Sequence, residues 1–301
     1  MWTQTTRLKK PHFWLLLLFL FLSACTHGGT PVAEESPTVE IITITPTFVV
    51  PSATPVPAAA IVNGERVPLS WLDSELSRYL TAQEVLGQDV RDQDAARQIV
   101  LDDLIDQVLL AQAARDSGFE VTDEEVRTHL DELRGEVDLD AWMLEWGYSE
   151  DELFQLLKLQ LLGSFQRDSV LKMVPESMEQ VELRQVFAYT EDGARRALVS
   201  LTSGRDFDEV AFEYDPQTGG YLGWVPRGYL LIPAVEEAAF SLPVGSYSDI
   251  IESEIGYHIL KVISREEREL SSDALITLQR QALHTWLAEQ KENSTIEVLG
   301  K

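Results

Sequence analysis

The stretch TGGYLGWVPRG, residues 218–228, contains four glycines, two aromatic residues and a proline in eleven positions. Glycine adopts positive φ angles without steric cost, so this run predicts a tight loop that leads into a strand. Tyr221 and Trp224 place bulky side chains directly beside that loop. The combination predicts a loop folded closely under a surface that large side chains help to form.

The residues on both sides of this loop predict a small mixed domain. VELRQVFAY, from Val181, alternates like a strand, and helical patterns follow over Glu191–Ser203 and in DFDEVAFEY. Beyond the loop, a short helix around Val235 precedes a turn and the alternating strand GYHILKVIS. The order β-α-α-β-α-β within about 85 residues predicts a compact α+β fold with a mostly antiparallel sheet, placed here at residues 181–267.

The preceding segment, residues 61–175, predicts a mostly helical module. Its NG dipeptide predicts a hairpin with positive φ at Gly64, and a helix is expected after Ser70. Long amphipathic helices follow, with capping boxes expected at Thr122 with Glu125 and at Ser149 with Glu152. A last helix, residues 271–291, is expected to pack on this module.

The N-terminus predicts an export signal. Residues 1–24 combine basic residues with the apolar run FWLLLLFLFL and the ending LSA, and Cys25 follows. A run of about ten apolar residues is short for a membrane span and typical of a signal peptide. The stretch resembles the lipobox of bacterial lipoproteins, which implies acylation of Cys25 and attachment outside the cytoplasm to the cell membrane. Residues 25–60, rich in Thr and Pro, predict a semi-rigid tether.

Charge and cysteine content exclude several classes of function. The formal net charge is −26, which would repel a phosphate backbone, so nucleic acid is not an expected partner. Cys25 is the only cysteine, which leaves no disulfide and no cysteine zinc site after lipidation. No phosphate-binding glycine loop or HExxH helix is present, and neither a metal nor a cofactor is expected. The Ser-x-x-Lys spacing of Ser169 and Lys172 lacks the partner motifs of acyl-transfer enzymes.

A family resemblance rests on the glycine-rich stretch together with segments elsewhere in the chain. GGYLGWVPRG followed by EEAAFSLPVGSYSDIIESEIGYHILKV resembles the signature of parvulin-type (PpiC-like) peptidyl-prolyl isomerases. The preceding module, with VNGERVPLSWLDSEL and GFEVTDEEV, is similar to the helical chaperone portion of SurA-like and PrsA-like foldases. The resemblance implies a foldase that isomerises X–Pro bonds and chaperones exported, unfolded polypeptides.

The resemblance also implies a set of site residues. The polar positions are Asp215 and His258, with Gln185 where the family has its first histidine; peptide contacts are expected from Leu222, Leu231, Val235 and Ser253. A neutral glutamine can form hydrogen bonds but cannot titrate. Two readings therefore stay open, a peptidyl-prolyl isomerase of reduced activity and a non-catalytic holdase whose parvulin domain only binds peptides. A surface scaffold without clients is a third.

Overall fold

The computed structural model of the chain describes residues 56–299. The expected signal peptide, Cys25 and most of the expected tether lie outside these residues. Within them, no helix is both long and apolar enough to cross a membrane. The α+β fold class expected from the sequence is confirmed.

The described chain opens with the expected hairpin. Strands β1 (Ala58–Val62) and β2 (Glu65–Pro68) pair antiparallel, and the turn places Asn63 and Gly64 at φ angles of 52° and 87°. Two consecutive positive φ angles are what the NG dipeptide favours. A strand from the other end of the chain, β7 (Ile296–Val298), pairs with the free edge of β1. The sequence pattern predicts no strand at these residues.

Five helices follow the hairpin: α1 (Leu69–Val85), α2 (Gln93–Asp116), α3 (Asp123–Glu136), α4 (Leu139–Trp146) and α5 (Glu150–Leu171). Helix α2 supplies most of the buried core, through residues such as Leu104, Ile105 and Val108, and α5 and the hairpin pack on it. The full capping box at Thr122 and Glu125 is confirmed.

The second expected capping box is only half formed. Ser149 Oγ accepts a hydrogen bond from the Glu152 N–H at 3.2 Å, as expected. The Glu152 carboxylate does not return to Ser149, because it binds the buried guanidinium of Arg78 at 2.7 Å. Arg78 also binds Glu75 at 2.9 Å and lies over the ring of Tyr148. A buried arginine without a counter-charge costs more free energy than the loss of one helix-capping hydrogen bond. The Glu152 carboxylate therefore pairs with Arg78 instead of capping the helix.

The second part of the chain is built on a four-stranded sheet. Its strands are β3 (Ser177–Ala188), β4 (Tyr221–Pro226), β5 (Ile251–Ser253) and β6 (Gly256–Glu269), in the order β4-β3-β6-β5 with every pair antiparallel. The short strand β5 was missing from the expected order. Helices α6 (Glu191–Thr202) and α7 (Phe207–Tyr214) cover one face, and α8 (Pro233–Ser241) covers part of the other.

The last helix, α9 (Ser272–Asn293), follows β6 directly. It contacts α5 and α2, and Lys291 Nζ lies 2.6 Å from Asp106 Oδ1 on α2. The first turns of α9 also face the sheet domain, where Leu278 packs on the backbone of Gly228. Helix α9 therefore touches both parts of the described chain.

Candidate functional site

Two of the expected polar residues, Gln185 and His258, lie on the sheet face that α8 partly covers. Because side chains alternate along a strand, Leu183, Gln185 and Phe187 of β3 point to the face that α8 covers, as do His258 and Leu260 of β6. Leu183 and Leu260 pack under α8. On the same face, next to that cluster, Gln185 lies opposite Leu260 and His258 lies opposite Phe187.

His258 is the centre of a small hydrogen-bond network. Its Nδ1 lies 3.2 Å from Gln185 Oε1, and its Nε2 lies 2.8 Å from Ser253 Oγ. The Ser253 hydroxyl donates to the carbonyl of Gly256 at 3.0 Å, so Ser253 Oγ accepts from the ring. We infer a neutral imidazole protonated at Nε2, with the Gln185 amide turned so that its NH₂ donates to Nδ1.

The surroundings of His258 favour the neutral ring. Only 3% of the residue is exposed, and the Phe187 ring lies beside it at 5.1 Å between centroids. Burial lowers the pKa of His258, because an imidazolium would lose its hydration there. The two side chains that face the ring nitrogens, Gln185 and Ser253, are uncharged. The network therefore offers oriented dipoles and no charge.

Asp215 is engaged in its own loop. It ends α7, and its carboxylate accepts hydrogen bonds from the Gln217 and Thr218 N–H groups and from the Thr218 hydroxyl. These bonds, the hydroxyl's first, lower the pKa of Asp215 and keep it ionised. Both ring nitrogens of His258 have other partners, so no hydrogen bond joins Asp215 to His258.

The glycine-rich loop connects Asp215 to the network through the main chain. The Asp215 carbonyl accepts from the Gly219 N–H, and the Gly220 carbonyl accepts from the Gln185 N–H, each at 2.8 Å. Gly220 has φ of 71°, and a Cβ there would lie 1.9 Å from the Gln185 carbonyl oxygen. Only glycine lets the loop approach the strand this closely. This contact explains the need for glycine within residues 218–228.

The three expected apolar contacts do not form one surface. Val235 is 4% exposed and belongs to the core under α8, Leu222 stands at a bulge of β4, and Leu231 is 87% exposed. The residues that border the Val235 core are instead Tyr229, Leu230 and Ile232. These three residues and Phe187 were missed by the sequence analysis. For Phe187, strand alternation from Gln185 was a usable signal.

The comparisons with known proteins agree with this architecture. Residues 177–264 match the family model described as the PPIC-type PPIASE domain, and residues 38–142 match the SurA-like N-terminal domain. The chain thus combines a peptidyl-prolyl isomerase domain with a SurA-like module. The second match begins inside the segment expected to be a tether, in a part of the chain outside the described residues.

The curated relatives indicate which family of foldases the chain is similar to. The foldase protein PrsA of Caldanaerobacter subterraneus subsp. tengcongensis is 30% identical over 227 residues, which is 67% of this chain and 72% of that protein. PrsA of Geobacillus kaustophilus is 26% identical, over 67% of this chain and 75% of that protein. The peptidylprolyl isomerase PrsA of Bacillus cereus is a solved structure with 22% identity and a TM-score of 0.45, covering 77% of this chain and 85% of that one.

The chain belongs to the PrsA foldase family. The resemblance to parvulin-type isomerases and SurA-like modules is confirmed, and so is the expected class, a foldase with a peptidyl-prolyl isomerase domain.

Replacement of Gly220 tests the contact between loop and strand. We expect Gly220→Ala to lower the free energy of unfolding by about 3 kcal/mol or more, because the positive φ costs about 1–2 kcal/mol and the collision with the strand adds to it. Gly223→Ala is the matched control, with φ of 79° and open space around the added Cβ. It should cost only the positive-φ penalty of about 1–2 kcal/mol. Urea denaturation compares the two variants, and equal losses would contradict the close approach.

A pH series tests the neutral state of His258. An unfolded histidine takes up a proton near pH 6.5, whereas the buried ring, with its lowered pKa, takes it up only at lower pH. Stability therefore falls as pH drops below about 6.5, by at most about 1.4 kcal/mol per pH unit from this group. We expect the wild-type advantage over His258→Gln to shrink between pH 8 and pH 5. The half-buried His129, replaced in the same way, serves as the control, and a pH-independent advantage at His258 would contradict the assignment.

Proposed function

We propose that the chain is an extracytoplasmic, lipid-anchored foldase that binds X–Pro segments of unfolded exported polypeptides and accelerates their cis–trans exchange. The observation that carries this proposal is the polar network of the buried His258 with the half-buried Gln185 and Ser253, next to the apolar cluster under α8. An X–Pro site needs that pairing, with an apolar surface for the ring and dipoles for the amide.

The physical task is to lower a rotational barrier. Rotation about the planar amide meets about 18–20 kcal/mol, since twisting removes its resonance. A catalyst lowers this barrier when it binds the twisted amide more tightly than the planar one. In the twisted state the prolyl nitrogen regains a lone pair, which an N–H donor stabilises. No covalent bond forms or breaks, so no group has to exchange a proton.

We assign the contact with the peptide to the Gln185 amide. One of its N–H groups is used by His258 Nδ1, which leaves the second N–H and the carbonyl for the substrate. His258, almost wholly buried, and Ser253 act as positioning residues that fix the direction of that amide. Asp215 stays a proposed polar contact from the neighbouring loop, ionised at neutral pH. Tyr229 and Leu230 border the Val235 core on the apolar side, and Leu222, Leu231 and Val235 stay proposed peptide contacts.

The alternative is a non-catalytic holdase. It is favoured by Gln185 in place of the family's first histidine and by the separate hydrogen bonding of Asp215 and His258. In that case the sheet domain only cradles proline-containing peptides, and the helical module prevents aggregation. The name "Chaperone SurA" of a relative from Alcanivorax borkumensis, 30% identical over 40% of this chain and 29% of that protein, is compatible with this function.

The domain division belongs to the proposal as well. We assign residues 61–175 to the chaperone module, 181–267 to the parvulin domain and 271–291 to a helix that returns to the module. The contacts of α9 with α2 and α5 support the return, and its contact with Gly228 extends it to the parvulin domain. Residues 1–24 would be removed, and residues 25–60 would act as the tether.

An isomerase assay on the mature chain, residues 25–301, separates enzyme from holdase. NMR exchange spectroscopy measures the cis–trans exchange of a proline peptide, and we expect the wild-type rate to exceed background. His258→Ala should lose roughly tenfold in kcat/KM, because the Gln185 amide loses its orienting bond. His129→Ala on α3 is the control. Gln185→His should retain or raise the rate. If the wild-type rate equals background while aggregation of an unfolded client is still suppressed, the protein is a holdase.

The anchor is tested at Cys25. Expression of the complete chain in a bacterial host should place it in the membrane fraction, and Cys25→Ser should release it, since one thiol carries the acyl group. Metabolic labelling with a clickable fatty acid reports the modification directly. Label in the serine variant, or membrane retention without label in the wild type, would contradict a lipid anchor at this residue.

A further inference from the structure

Helix α9 holds a loop beside the candidate site. The loop between β4 and α8, residues 227–232, is called the shelf loop below. Tyr229 Oη donates to Asp273 Oδ2 in the first turn of α9 at 2.6 Å, and the pKa of Tyr229 is raised by this bond. One residue earlier, Gly228 has φ of 88°, and a Cβ there would lie 3.0 Å from Leu278 Cδ2. A carboxylate and a buried leucine of one helix therefore fix two consecutive loop residues.

The shelf loop also borders the apolar side of the site. Tyr229, Leu230 and Ile232 pack against the core cluster that contains Leu183 and Leu260. Leu183 precedes Gln185 by two positions on β3, and Leu260 follows His258 by two on β6, all on one sheet face. The Gly228 N–H donates to Glu236 of α8 at 2.7 Å, which closes the loop onto the helix that covers this cluster. A shift of the loop would therefore reshape the surface next to the polar network.

The other end of α9 is fixed to the helical part of the chain. Lys291 binds Asp106 of α2, and α9 also contacts α5. Immediately after the helix, the Thr295 N–H donates to Asn63 Oδ1 in the hairpin turn at 2.8 Å. Because an α-helix is stiff over such a length, a displacement at one end is carried to the other.

We propose that the helical part of the chain positions the shelf loop through α9, and that Tyr229 and Asp273 are positioning residues for peptide binding. This inference rests on the proposed function of the sheet face, and it adds that the affinity for proline peptides depends on a contact outside that domain. Loss of the Tyr229–Asp273 bond should loosen the loop and weaken peptide binding, while the polar network and the rate of the bound amide stay unchanged.

The test compares hydroxyl deletions at two tyrosines in residues 25–301. Tyr229→Phe removes the bond to Asp273, and Tyr221→Phe removes an equivalent tyrosine–carboxylate bond, to Glu182 at 2.8 Å, on the sheet face that α6 and α7 cover. We expect Tyr229→Phe to raise KM for a proline peptide roughly three- to tenfold with kcat within about twofold, as the loss of one exposed hydrogen bond implies. Tyr221→Phe should leave both constants unchanged.

Variants of Asp273 define the pair. Asp273→Asn keeps an acceptor and should retain most of the affinity, whereas Asp273→Ala should reproduce Tyr229→Phe. The double variant Tyr229→Phe, Asp273→Ala should be no worse than either single change, because both remove the same interaction. Additive losses would show that the two residues act separately, and the proposal would fail.

Amide hydrogen exchange tests the positioning of the shelf loop independently of catalysis. In Tyr229→Phe, exchange at the amides of residues 228–232 should accelerate while the amides of β3 and β6 stay protected. If the wild type shows no isomerase activity, the dissociation constant of the peptide replaces KM, and the same three- to tenfold change is expected. Unchanged exchange in the shelf loop, or loss of kcat with unchanged KM, overturns the positioning role.

Discussion

The antiparallel pairing of β3 with β6 is the constraint on which the rest of the described structure depends. The ladder runs from Ser177 opposite Glu269 to Ala188 opposite Tyr257, and both outer strands of the sheet attach to it. Its register places Gln185 and His258 on one face, close enough for a hydrogen bond. A slip by one residue would turn every side chain of a strand to the other face and dissolve the network. The site therefore depends on the pairing of residues 73 positions apart in the sequence.

The same ladder joins the two parts of the chain. Strand β3 follows α5 and strand β6 precedes α9. The Ser177–Glu269 end of the ladder therefore lies between the end of α5 and the start of α9. There the buried Gln180 donates from Nε2 to the carbonyls of Arg268 and Glu269, at 3.1 and 3.0 Å. Glutamine at a buried position is stable only with its amide satisfied, and these bonds hold the end of β6 against β3. The connection is a paired double strand, which resists bending more than two single linkers would.

Local signals were predicted well from the sequence, and long-range ones were not. The turn at Gly64 and the box at Thr122 depend on neighbouring residues, and both formed. Strand β7 depends on a partner at the other end of the chain. Its three residues alone do not predict that pairing. Family resemblance singled out Gln185 and His258, which the register of β3 with β6 places on one face, but it could not tell that Val235 would be buried, since burial depends on how α8 lies over the sheet.

The substitution at Gln185 is physically consistent with the burial of His258. Two buried imidazoles in contact can share a proton, and their charge state then changes near neutral pH. An amide in one of the two positions removes that shared proton, and the lowered pKa of His258 moves protonation of the remaining ring away from neutral pH. Such a network is a poor proton donor, yet isomerisation of an X–Pro bond transfers no proton and needs only oriented dipoles against a twisting amide. The ionised carboxylate of Asp215 in the neighbouring loop thus brings charge to the edge of the proposed site, while the His258 network itself stays neutral at neutral pH.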